Sequence, residues 1–180
     1  MDRNSKIKCI TATALFTALI FLSTAFIKFP ITLGYVHVGD VFILLSSFML
    51  PPVFSVIASA LGSIFADILA GYVIYAPITL FAKGLMALVA SMFFYKKVNV
   101  VRFLLGAIIG SIVMVASYFV FEGIMYGWEM AIVNLPMQFV QPAIAIVIGG
   151  AMIFAFVKTP YMVKLKDDIT IKKAKRVPKE

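Results

Sequence analysis

The sequence predicts an all-α integral membrane protein of six transmembrane helices, with N- and C-termini cytoplasmic. Three observations predict it. Of the 180 residues, 63% are hydrophobic and 13% charged, with a mean hydropathy of +1.06; a soluble domain is about 45–50% apolar and about a quarter charged. The apolar residues fall into six runs separated by turn residues. With both ends inside, 14 of the 16 Lys and Arg lie on the inner side, the asymmetry that sets membrane orientation. The two exceptions are Lys28 and Lys83.

The first run extends from Cys9 to Ile27 and follows Arg3, Lys6 and Lys8. It resembles a signal peptide, but its apolar stretch is nearer a full span, so an uncleaved first helix is expected. A loop over 28–37 contains Pro30, Gly34, Tyr35 and His37. The second run, Val38 to Leu50, is short for a span and stops at Pro51-Pro52. The third covers Val53 to Ala70 and ends at Gly71; the fourth runs from Ile74 to Tyr95, with Pro77 in its first turn, where proline is tolerated. The fifth spans Val100 to Phe121. The sixth spans Ile132 to Val157 and contains Pro136 and Pro142, which are expected to bend it. Residues 1–160 thus form a membrane domain, and 161–180 a basic cytoplasmic tail, expected to be solvated near the inner leaflet.

A formal charge of +8 carried beside apolar segments points to topology and anionic lipid rather than nucleic acid. A single cysteine, Cys9, excludes an intrachain disulfide, and a single histidine, His37, argues against a histidine-based catalytic or metal site. No phosphate-binding G-x-x-x-x-G-K-[ST] loop, H-E-x-x-H or G-x-S-x-G motif is present. The expectation is therefore a protein without enzymatic activity, metal or cofactor of its own.

The chemistry is concentrated in Gly71–Met86, where Lys83 lies inside a segment apolar enough to span a bilayer. A charge there costs at least a few kcal/mol unless it is paired or faces a wet cavity, so it marks a candidate site. Tyr75 and Thr79 share its helix face, and Ser59, Ser63 and Asp67 form a stripe of the same spacing on the preceding helix. The two stripes are expected to line one pocket in the outer half of the bundle. Asp67 is the expected ion-pair partner of Lys83, either tying the two helices together or presenting hydrogen bonds to a ligand.

Asn134, Gln138 and Gln141 share a face at the start of the sixth run, where amides serve either interhelical bonding or a heteroaromatic ring edge. Tyr118, Glu122, Tyr126, Trp128 and Glu129 mark the outer end of the fifth helix and its loop. For Tyr126 and Trp128 the interfacial aromatic belt is sufficient explanation, and Glu122 is a candidate for the pocket rim. Tyr35 and His37 are weaker candidates on the first loop. Ala14 with Ala18, and Gly106 with Gly110, are small-xxx-small pairs that admit a close helix neighbour, inside the fold or from a partner.

Taken together, the basic-flanked first helix with Ala14-x-x-x-Ala18, the loop before VHVGDVFILLSSFMLPP and above all the run GSIFADILAGYVIYAPITLFAKGLMAL resemble the substrate-binding subunit, or S component, of energy-coupling factor (ECF) vitamin transporters. The resemblance covers roughly residues 4–157, and the last run is similar to the branch for hydroxymethylpyrimidine, pyridoxine-like and related precursors. It implies an ECF S-component-like bundle in a prokaryotic plasma membrane, with an outward pocket closed by the first loop. Ligand is implied to come from a water-soluble vitamin or precursor, hydroxymethylpyrimidine, pyridoxine-like or riboflavin-like. Docking through Ala14 and Ala18 onto a transmembrane coupling subunit is implied too, with ATP bound by two partner ATPase subunits. Lys83, Asp67, Asn134 and Gln138 are the expected polar contacts, followed by Tyr75, Thr79 and Gln141. Two alternatives stay open: a stand-alone proton-coupled secondary transporter using Asp67, and a membrane assembly factor or membrane-embedded enzyme.

Overall fold

The structure is a computed structural model that describes residues 3–169. In chain order it contains α1 (Arg3–Phe26), β1 (Lys28–Pro30), β2 (Tyr35–His37), α2 (Gly39–Met49), α3 (Pro52–Leu69), one 3₁₀ turn (Val73–Tyr75), α4 (Ala76–Phe94), α5 (Val100–Tyr126), α6 (Trp128–Lys158) and α7 (Pro160–Ile169). Five of these helices, α1, α3, α4, α5 and α6, are long and apolar enough to cross a membrane.

Helix boundaries follow the sequence punctuation. Leu50, forced extended by the proline after it, ends α2 at ψ 151°, and Pro52 begins α3 where a missing N–H costs nothing. Gly71, at φ +82°, lets Tyr72 N–H turn back to Asp67 O at 2.8 Å and so closes α3. Asn99 caps α5 by accepting from Arg102 N–H. Both prolines of α6 lie within one continuous helix.

The α2 helix has 11 residues, and all but Phe42 are buried. A helix of that length reaches about 16 Å, well short of the roughly 30 Å hydrocarbon layer. It is packed against α1, α3, α4 and α6, which surround it as a shell. Close approach elsewhere rests on small residues. A Cβ on Gly106 or Gly110 would press on Phe93, Phe94 and the Met86 carbonyl, so this pair seats α5 on α4. Ala14 and Ala18, by contrast, remain exposed on α1.

The first loop is a short antiparallel hairpin, with Lys28 opposite His37 and Pro30 opposite Tyr35. At the far end of the molecule, Lys8 of α1 pairs with Asp168 of α7 at 2.8 Å. Lys166 donates to Tyr95 O at 2.6 Å and sits 3.6 Å over the Phe48 ring. Burial against these apolar rings holds the Lys166 ammonium below the ordinary lysine range, at about 8. The start of α1, the ends of α2 and α4, and α7 therefore share one end, opposite the hairpin. The helix Pro160–Ile169 takes in the first part of the expected tail, with Ile169 buried; 170–180 lie outside the described residues.

Candidate functional site

A cavity of about 60 Å³ lies under the hairpin. The hairpin and its turn line it, together with Asp67, Tyr72, Tyr75, Thr79 and Lys83 from the α3–α4 part of the chain, Met114, Tyr118 and Glu122 of α5, and Gln138 and Gln141 of α6. The Tyr75, Thr79 and Lys83 stripe, which runs from the 3₁₀ turn into α4, thus faces one space, as helical spacing requires.

Lys83 donates to Asp40 Oδ1 at 2.7 Å, and Nζ lies 3.0 Å from Met114 Sδ. The two charged side chains are 2% and 0% exposed. Asp40 Oδ2 accepts from Gln141 Nε2, whose Oε1 in turn accepts from the His37 backbone N–H at 3.2 Å. The Gly39 N–H donates to His37 Nδ1 at 3.0 Å, which places the ring proton on Nε2. Complete burial drives the His37 pKa down to about 3, with the Lys83 charge acting in the same direction and Asp40 opposing both. The imidazole is therefore neutral at physiological pH.

Besides the His37–Gln141 bond, further hydrogen bonds tie the hairpin to the surrounding helices. Tyr35 donates to Asp67 Oδ1 at 2.6 Å; burial and that neighbouring carboxylate push the phenol pKa upward. Asn134 accepts from Leu33 N–H at 3.3 Å and donates to Leu33 O at 3.2 Å. The same amide donates to both Glu122 oxygens at 3.0 Å, and Gln138 adds a third bond at 2.7 Å. Thr79 and Tyr118 share a hydroxyl pair at 2.9 Å.

This geometry corrects the expected Asp67–Lys83 ion pair. Among the described residues Lys83 pairs with Asp40 alone, because α2 brings its first-turn carboxylate fully under the ammonium. Asp67, at the end of α3, turns instead to the hairpin. The stripe Ser59–Ser63–Asp67 is corrected as well, since Asp67 is its only cavity residue. Ser59 joins Ser46 and Ser55 between α2 and α3. Asn134 stands behind the lining and supports Glu122, while Glu122 is 2% exposed and lines the cavity. Gln138, Gln141, Tyr35, Tyr75 and Thr79 line it too. His37 is buried rather than interfacial. Trp128 is 53% exposed and stays at the surface.

Residues 4–158 match the family described as the ECF-type riboflavin transporter, S component. The chain belongs to that family. It is 31% identical over 155 residues to the thiamine precursor transporter HmpT of Lactococcus lactis, covering 83% of this chain and 87% of the relative. It is also 33% identical over 126 residues to an uncharacterized protein of Pyrococcus woesei, covering 70% and 84% respectively. As an S component the chain is a vitamin-transporter subunit rather than an enzyme, and a multi-pass protein of the cell membrane.

Sequence reasoning about this S component missed Asp40. The signal was present: a carboxylate opening an apolar run meets the same criterion that singled out Lys83. Met114 and the Leu33 backbone carried no such signal, since their proximity to the cavity is a product of folding.

Proposed function

We propose that the chain is the substrate-binding and translocating subunit of an ECF-type ABC importer for a single-ring vitamin or precursor. The observation that carries this is the cavity lying under a hairpin that is held by hydrogen bonds to Asp67 and Asn134. A concave space with a few converging polar groups is what a small ligand needs for orientation. At roughly 10–15 Å³ per water, about 60 Å³ accommodates four to six waters, the footprint of one substituted six-membered ring. That size favours a pyrimidine or pyridine over a three-ring flavin, in line with the thiamine-precursor relative.

In this reading α2 counts as a sixth, shielded crossing, which places both termini in the cytoplasm. The proximity of α1 and α7 and the clustering of basic residues at that end support it. Lys83, Asp67, Glu122, Gln138, Gln141, Tyr75 and Thr79 contact the ligand, and Tyr35 closes over it. Ala14 and Ala18 dock onto a transmembrane coupling subunit, and two ATPase subunits bind the ATP that drives reorientation. The exposed groove around the two alanines, walled by Phe54, Ile57, Leu61 and Phe65, supports that assignment. Purification followed by mass spectrometry of the co-purified small molecule tests the ligand. Uptake that vanishes without the ATPase subunits is expected; uptake driven by a proton gradient in their absence would refute the coupling.

A further inference from the structure

At the end opposite the hairpin, α2 and α4 are joined by a third helix. Both run from the cavity toward that end. The α2 helix carries Asp40 in its first turn and Phe48 in its last, and α4 carries Lys83 and ends beside Tyr95. Rungs connect the two at successive levels. Asp40 takes Lys83 at 2.7 Å, and Ser47 donates to Ala87 O at 3.2 Å. At the far end Lys166 of α7 spans the gap, its ammonium over the Phe48 ring and bonded to Tyr95 O. A cation placed there complements the negative C-terminal ends of two helices at once. We infer that α7 is a strap that fixes α2 against α4, so that Lys166 at the far end keeps Asp40 in register with Lys83 at the cavity.

Asp40 and Phe48 lie eight residues apart on one short helix, about 12 Å along its axis. What holds Phe48 therefore bears on where Asp40 stands. Packed helices slide past one another in small shear steps unless something pins them. The middle of α2 offers little resistance to sliding. Its hydroxyl pairs, Ser46 with Ser55 at 2.9 Å and Ser47 with Ser55 at 3.2 Å, can rotate to new partners. The strap itself is built to be held and released. It leaves α6 at Thr159, extended before Pro160, and turns Met162, Leu165, Lys166 and Ile169 inward at the spacing of one helix face. Ile169 joins the apolar core that includes Phe48, and Leu165 packs against it. The strap also pairs Asp168 with Lys8, but those side chains are 41% and 52% exposed, and such pairs contribute little. Lys166 and the apolar stripe are thus the main hold.

Hydrogen–deuterium exchange of the full chain in lipid nanodiscs, with no ligand added, tests this, since amide exchange reads local opening. Lys166→Glu sets an anion against the two helix ends, and Leu165→Asp removes the apolar anchor by separate chemistry. Each should speed exchange in 160–169 and, about tenfold or more, in 35–44, where the cavity meets α2. Exchange in 107–113, which contains the Gly110 contact of α5 with α4, should stay within about twofold. Lys164→Glu repeats the charge change on the exposed face of α7 and should leave all three segments within about twofold. A strap freed while 35–44 is unchanged overturns the inference, as does a strap that neither variant frees. An equal rise in 107–113 overturns it too, because α7 then merely stabilises the bundle as a whole.

Discussion

Lys83 of α4 and Asp40 of α2 meet at 2.7 Å with both side chains withdrawn from solvent. Removing one partner of such a pair strands a buried charge, at a cost of about 3–5 kcal/mol, whereas removing both charges together costs far less. Lys83→Met is therefore expected to destabilise by about 3–5 kcal/mol. Lys83→Met with Asp40→Asn should recover most of that stability and still bind ligand poorly. Cys9, the chain's one thiol, is fully buried, so a thiol-reactive dye reads the melting directly. A double variant that melts as low as the single one would deny the pair its compensating role.

Tyr35 holds the hairpin to α3 through its 2.6 Å bond to Asp67. A hydrogen bond to a charged group contributes about 1.5–3 kcal/mol. Tyr35→Phe keeps the ring packing against Tyr72 and His37 and deletes only that bond. Ligand dissociation should quicken about tenfold or more, with association little changed, since affinity differences within one site lie mainly in the off-rate. Stopped-flow chase experiments separate the two rates, and an unaltered off-rate would remove Tyr35 from the closure.

Lys83 is legible in the sequence because a charge inside an apolar span has few explanations, and Tyr75 and Thr79 follow from helical spacing. The identity of its partner is not. Asp40 lies 43 positions away, and only the insertion of α2 among four other helices decides between it and Asp67. The hairpin escapes periodicity because each strand has three residues, too few to show alternation. The α2 helix is too short to cross alone, and its burial depends on a shell that no local pattern describes. Amide positions on α6 are readable as one face, but whether each lines the cavity or supports Glu122, as Asn134 does, is a matter of side-chain reach.

His37 supplies a pH dependence. Its folded pKa of about 3 lies below the ordinary 6.5, so as pH falls the unfolded chain takes up the proton first. The contribution to stability is whole above pH 6.5 and is lost as pH drops toward 3. Between pH 7.5 and 5.0 the loss from this residue should be about 2 kcal/mol. Asp40 and Lys83 face the ring in every variant that retains them. His37→Asn keeps an acceptor for the Gly39 N–H and removes the titration. The difference between its acid sensitivity and that of the unmodified protein isolates the imidazole, and identical pH profiles would refute the assignment.

Ala14 and Ala18 lie exposed in an apolar groove shared with Phe54, Ile57, Leu61 and Phe65, which has no residue in common with the ligand cavity. Small side chains leave that groove open to a partner helix, since close backbone approach is what drives association where lipid is as apolar as leucine. Ala14→Leu with Ala18→Leu fills the groove from lipid-facing positions and should leave both stability and ligand affinity within about twofold, as surface changes away from special features do. Co-purification with the coupling subunit should fall by about tenfold or more, because overpacked contacts cost about 1–3 kcal/mol each. If the double variant still assembles and transports, the coupling subunit binds another face. If it assembles poorly and also loses ligand, α1 is coupled to the cavity through α2, which packs against both.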